Sequence, residues 1–298
     1  MVIKMELQKI LEQINAISIP LDATITQLKH EEDNELYQVW RIDTNNEIYI
    51  LKEAKGDERY IYAAISGVCK NSVPKIYQTV TADEKTYLLM EYVDGEDLCR
   101  CNRKKLTLAL DSLITMQKET WGMQEIDGLE NSFEKSLASR KNRGKYLGDP
   151  LLEEAYEKFL ELYRSTPKAL CHDDLLPFNI IVAEQSAYLI DWETCGMLPY
   201  PTPFARLIAH TQEDEDALFY MADADKAFAI DYYYDKLLKE KGVLYQEWLH
   251  TLEYFLFYEY CEWVFVGNKY QATDGEYYKK YLPIARKQAA EILNTKQN

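Results

Sequence analysis

The sequence predicts an α+β protein of two lobes, a small antiparallel-sheet lobe followed by a larger, mainly helical one. Three observations carry that prediction. After an initial helix, short β-branched and aromatic runs alternate with polar turns. From Gly95 onward, apolar residues recur at helical spacing. One extended island, Ala169 to Trp192, interrupts the helical half. The lobes divide into residues 1–92 and 93–298, a partition that suits a chain long for one compact core and short for three.

The first element is the amphipathic stretch with Leu7, Ile10, Leu11 and Ile14 on one face. Thr24 to Lys29, Leu36 to Ile42 and Glu47 to Lys52 read as a meander, with polar turns at His30 to Asn34 and Asp43 to Asn46. A helix from about Asp57 to Cys69 follows, then Pro74, then strands Lys75 to Val80 and Thr86 to Met90 around an Asp83-Glu84-Lys85 turn. In the second lobe Leu106, Leu110, Leu113, Ile114 and Met116 or Gln117 line one helix, and Leu151, Tyr156, Phe159, Leu160 and Tyr163 another. Within the island, Asn179 to Val182 and Tyr188 to Ile190 are strand-like. Polar residues crowd the ends of those two strands, so the chemistry is expected there.

Composition excludes several classes. A formal net charge of -16 repels nucleic acid and anionic membranes, while it favours a cationic small substrate. Six cysteines lack the paired spacing of a zinc or dithiol centre and read as reduced, mostly core thiols. The chain opens without a long apolar signal region, and Tyr254 to Val266 is broken by Glu259 and Glu262, so no bilayer span is expected and the cytoplasm is the default location.

The island reads His172-Asp173-Asp174-Leu175-Leu176-Pro177-Phe178-Asn179 and then Leu189-Ile190-Asp191-Trp192-Glu193. Phosphoryl transfer asks a protein for a carboxylate to accept the proton of the attacking hydroxyl and for oxygen ligands to magnesium. Asp174 supplies the first; Asn179 and Asp191 supply the second. With 4 histidines in the chain, a His-x-Asp-x-x-x-x-Asn match is expected by chance roughly 0.01 times. Asp173 competes for the base role, but the spacing to Asn179 favours Asp174.

These motifs resemble those of the aminoglycoside phosphotransferase and choline kinase superfamily, which has a protein-kinase-like fold. The resemblance covers about Lys29 to Gly196. It implies that Lys52, in Tyr49-Ile50-Leu51-Lys52, binds phosphate and that Glu58 is its carboxylate partner. It places backbone groups of Glu91 and Val93, in Leu88-Leu89-Met90-Glu91-Tyr92-Val93-Asp94-Gly95, around the adenine, and gives His172 a bracing role. It also implies ATP or GTP as co-substrate, Mg2+, and a small-molecule hydroxyl as acceptor, with an aminoglycoside, choline or another amino alcohol as the leading cationic class.

Two departures stand against that pattern. The loop expected to cover the phosphates, Lys29-His30-Glu31-Glu32-Asp33-Asn34-Glu35, has no glycine and carries acids, each costing about 1 kcal/mol beside a phosphate charge even at 4 Å in bulk water. Pro201-Thr202-Pro203-Phe204-Ala205-Arg206-Leu207 lacks the acid that relatives place in a supporting Asp-Leu-Ala segment. A catalytically weak pseudokinase or ligand-binding module therefore stands as the alternative. A protein kinase ranks lower, since no extended activation segment follows Asp191. For the acceptor, Trp248 to Val266 reads as a helix on which Glu259, Glu262 and Trp263 could enclose an ammonium group; the competing reading makes Trp248, Phe255, Tyr258 and Trp263 core and the glutamates solvated. Gln212 to Asp216 reads as a solvated helix start.

Overall fold

The computed structural model describes residues 2–17, 19–20, 22–29, 35–69 and 71–294, with the side chains of residues 2–6 and 8 excepted. Residues His30 to Asn34, in the loop expected to cover the phosphates, lie outside the described residues.

The first lobe is a five-stranded antiparallel sheet in the order β1-β2-β3-β5-β4, built from β1 (Thr24–Lys29), β2 (Leu36–Asp43), β3 (Ile48–Glu53), β4 (Ile76–Ala82) and β5 (Lys85–Glu91). Strand alternation gives the sheet two faces. Trp40, Ile42, Tyr49, Leu51, Tyr87 and Leu89 pack in one cluster with Ile10 and Ile14, so helix α1 (Val2–Gln13) closes that side. Ile50, Leu88 and Met90 point the other way, into the large cluster that holds helix α2 (Glu58–Ser66) and runs on into the helical lobe. Lys52 is two residues on from Ile50 along β3 and so shares this inner face.

The second lobe carries helices α3 (Arg103–Thr120), α4 (Ser132–Gly144), α5 (Pro150–Ser165), α6 (Pro201–Ala209), α7 (Asp223–Tyr233), α8 (Tyr245–Lys269) and α9 (Glu276–Asn294). Their starts are chemically marked. The Asn102 side chain accepts from the Lys105 N–H at 3.0 Å, and Asp149 accepts from the Leu151 N–H at 3.0 Å with Pro150 in the first turn. The apolar face expected on α3 is buried, Met116 and Gln117 alike. Among the described residues no helix is long and apolar enough to cross a membrane, and all six cysteines are free, four of them buried.

Two small sheets hold the island. Strand β7 (Lys168–His172) pairs antiparallel with β10 (Cys195–Pro199), and β8 (Ile180–Val182) lies between β6 (Glu96–Asp97) and β9 (Ala187–Leu189). Asn179 falls in a 3₁₀ turn, Pro177–Asn179, just ahead of β8 rather than inside the strand. Gly95 enters β6 so close to β8 that a Cβ there would stand 2.5 Å from the Val182 carbonyl oxygen, which only glycine avoids. The connection leaving the first lobe is thereby pressed against β8, the strand that follows the loop from His172 to Asn179.

Three expectations need correcting. Strand β10 was not foreseen, because Gly196 and Pro199 mask its pattern. Gln212 to Asp216 is not a helix start: it is a turn region, Gln212 bridging Tyr220, and α7 begins later at Asp223. Helix α2 stops at Ser66, short of Cys69.

Candidate active site

The inner face of the sheet brings three charged groups together. The Lys52 ammonium donates to Glu58 Oε1 at 2.5 Å and to Asp191 Oδ1 at 2.6 Å, joining β3, α2 and the end of the island. Glu58 is 0% exposed and takes a further bond from the Lys55 N–H at 3.2 Å. Burial raises the Glu58 carboxyl above its usual range, partly offset by Lys52. Burial pushes Asp191 up too, but the Lys52 charge outweighs it and leaves Asp191 below its ordinary value. The two acids share one lysine yet shift oppositely because the Lys55 charge adds to that of Lys52 at Asp191, whereas the Asp191 charge opposes Lys52 at Glu58.

Asp191 has φ +62°, in the left-handed region that disfavours a side chain and commonly marks functional strain. Its neighbours fix it. The Ile190 N–H donates to the Asn179 carbonyl at 3.0 Å, and Trp192 Nε1 donates to the Leu189 carbonyl at 2.8 Å.

His172 organises the loop between the two small sheets. The Asp174 N–H donates to His172 Nδ1 at 3.3 Å, so Nε2 carries the proton and donates to the Ile190 carbonyl at 2.8 Å. Fully buried, the ring is held below its usual pKa and stays neutral. Asn179 Nδ2 donates to the Asp174 carbonyl at 2.8 Å, closing the turn.

This leaves Asn179 Oδ1 and Asp191 Oδ2 without a protein donor among the described residues. Magnesium usually takes one or two carboxylates together with phosphate oxygens and water, so an amide oxygen and a carboxylate oxygen fit it. No group of three or more His, Cys, Asp or Glu suited to a metal occurs among the described residues. At the lobe connection the Glu91 N–H is spent on the Lys75 carbonyl at 2.8 Å, whereas the Val93 N–H has no partner among the described residues.

The other side of Asp174 is lined by arginines that sequence reasoning missed. Arg206 donates from Nε and Nη2 to Asp174 Oδ1, at 3.0 and 2.8 Å, and from Nη1 to Glu259 Oε2 at 2.9 Å. Burial works against the Arg206 charge, but Glu259 and Asp174 more than compensate and raise its pKa. Glu259, 3% exposed, is destabilised as an anion by burial yet held below its usual value by Arg206 and His210. Arg140 is 3% exposed, lies 4.7 Å from the ring centroids of both Tyr163 and Tyr258, and donates to Asp173 at 2.6 Å. Arg143 donates to Glu262 and to the Tyr258 hydroxyl.

The residues expected to enclose a cation are thus already engaged. Glu259 is buried against Arg206 and Glu262 is paired with Arg143. Trp263 stacks on Tyr277 with centroids 4.3 Å apart, which covers one ring face. Trp248, Phe255 and Tyr258 are core. The available signal for Arg206 was a lone charge inside the apolar run Phe204-Ala205-Arg206-Leu207-Ile208. Arg140 and Arg143 gave none, since polar residues dominate α4.

The sequence model of the phosphotransferase enzyme family matches residues 24–237. Among curated proteins no sequence matches the chain. Among solved structures, choline kinase from Cryptosporidium parvum Iowa II superposes with a TM-score of 0.60 at 14% identity, covering 98% of this chain and 95% of that one. A thermostable mutant of aminoglycoside phosphotransferase APH(4)-Ia, in ternary complex with AMP-PNP and hygromycin B, gives 0.57 at 13% identity, covering 96% and 97%. Plasmodium vivax ethanolamine kinase gives 0.56 at 17% identity, covering 89% and 83%. These likenesses confirm the two-lobed, protein-kinase-like fold.

Proposed function

Because the chain belongs to the phosphotransferase enzyme family, we propose that it transfers the γ-phosphate of ATP or GTP to a hydroxyl of a small amino alcohol. The observation that carries this reading is the Lys52 ammonium shared between Glu58 and Asp191, beside a loop that tethers Asp174 to Asn179. Backbone groups of Glu91 and Val93 would take the base of the nucleotide. Lys52, held in place by Glu58, would donate to phosphate oxygens. Asn179 and Asp191 would hold Mg2+, which when bound neutralises charge on the phosphates. Asp174 would orient the acceptor hydroxyl and take its proton as the hydroxyl oxygen bonds to the γ-phosphorus and the bond to the nucleoside diphosphate breaks.

The charge around Asp174 argues for a modest acceptor. Four acidic side chains, Asp173, Asp174, Glu259 and Glu262, meet three arginines, Arg140, Arg143 and Arg206, leaving at most one net negative charge, since burial pushes Glu262 up to about 7. That suits a choline-like or ethanolamine-like monocation better than a polycationic aminoglycoside. The glycine-free acidic loop favours the second reading, a binding module without useful turnover. Titration with ATP and GTP, with and without magnesium, followed by an acceptor panel of choline, ethanolamine, aminoglycosides and sugars, separates the two. Magnesium-dependent thermal stabilisation with phosphate transfer to an amino alcohol is expected; stabilisation without transfer to any acceptor would favour the binding module.

A further inference from the structure

Helix α6, whose sequence lacks an acid, carries one arginine, and it grips the proposed base itself. Two of its three nitrogens go to a single oxygen, Asp174 Oδ1, and the third to buried Glu259. Neutralising Glu259 alone would need one nitrogen, with His210 Nε2 also 3.6 Å from the same carboxylate. Two bonds onto one oxygen fix the plane of the Asp174 carboxylate and leave Oδ2 without a donor among the described residues. Behind the guanidinium, Glu259 sits on α8 and is 3% exposed, so it anchors Arg206 from a helix remote in sequence. The Arg206 side chain, 21% exposed, is thereby kept from swinging onto the phosphates.

We propose that Arg206 is a positioning residue for the base: clamped by Glu259, it holds Asp174 by Oδ1 so that Oδ2 faces the acceptor hydroxyl. This deepens the kinase reading and rests on it. The relay couples α8 to the proton acceptor through Glu259 and Arg206.

The test uses the full chain with whichever acceptor the wild type phosphorylates. Arg206→Ala is expected to lower kcat about 100-fold, as a misplaced catalytic group does, while KM for the nucleotide moves less than about 3-fold. Added guanidinium ion should restore part of that kcat in Arg206→Ala and none in Asp174→Ala, and Arg206→Lys should fall between. Because Arg206→Ala strands a buried carboxylate, the double variant Arg206→Ala with Glu259→Gln keeps the question open if the single variant unfolds: it should melt near wild type and remain slow. The Arg206 Nε–H resonance gives a readout without turnover, and should shift in Asp174→Asn. A folded double variant with kcat within about 2-fold of wild type, or an unshifted resonance, would overturn the positioning role. A resonance that shifts in Asp174→Asn while the wild type phosphorylates no acceptor would instead overturn the kinase reading and, with it, the role assigned to the bridge.

Discussion

The two sides of the cleft treat charge in opposite ways. On the side proposed for the nucleotide, one lysine serves two carboxylates, and oxygens of Asp191 and Asn179 are left over. On the side proposed for the acceptor, Asp173, Glu259 and Glu262 are each matched to an arginine. The first arrangement leaves ligands open to a cation. The second buries its charges in matched sets, which gives fixed geometry at the cost of free binding charge. The lesson is that an acidic sequence does not make an acidic pocket.

The largest effect expected from breaking this contrast is at Lys52. Lys52→Ala would strand Glu58, fully buried, and should cost about 3–5 kcal/mol in denaturant unfolding; Lys52→Met with Glu58→Leu should recover most of that stability without nucleotide binding. If Lys52→Ala unfolds like wild type, the pair is not the strut described. Next comes Arg140→Ala, which removes a buried cation from between two tyrosine rings but leaves Asp173 able to hydrate. A loss of about 2–3 kcal/mol is expected, and a change under about 0.5 kcal/mol would remove Arg140 from the list of fixed pairs. Gly95→Ala should cost about 1–3 kcal/mol, since its Cβ would overlap the Val182 carbonyl and overpacking carries that penalty.

The smallest effect is a slope with pH. Burial pushes Glu262 up to about 7 from an ordinary 4.5, against the opposing pull of Arg143. Between those values the folded protein holds a proton that the unfolded chain has released, so this group's contribution to stability declines as pH rises through the window. One proton limits the slope to about 1.4 kcal/mol per pH unit. Glu262→Gln should flatten the decline in melting temperature between about pH 5 and about pH 7, a range that lies within the shift from 4.5 to about 7. An unchanged profile would mean that Arg143 keeps Glu262 ionised throughout.

How far each side was legible in the sequence follows from the same contrast. The strands of the first lobe were readable because β-branched and aromatic residues alternate between turns. Asp174, Asn179 and Asp191 were readable because one short loop and two strands fix their spacing. The acceptor side was opaque because its pairs join residues far apart: Arg206 meets Glu259 and Arg143 meets Glu262 across α6, α4 and α8. Residue type on α8 showed acids beside aromatics, and nothing local showed that arginines from other helices would neutralise them. Strand β10 was missed for a related reason, since it exists by pairing with β7 rather than by its own pattern.

Whether Asp174 serves as the base of a phosphoryl transfer is decided by following the labelled γ-phosphate of ATP or GTP onto the best amino-alcohol acceptor with wild type and Asp174→Ala. Transfer by wild type is expected, with a loss of about 10²- to 10⁴-fold in kcat for the variant and its fold and nucleotide affinity retained. Turnover that survives Asp174→Ala nearly intact would contradict that role.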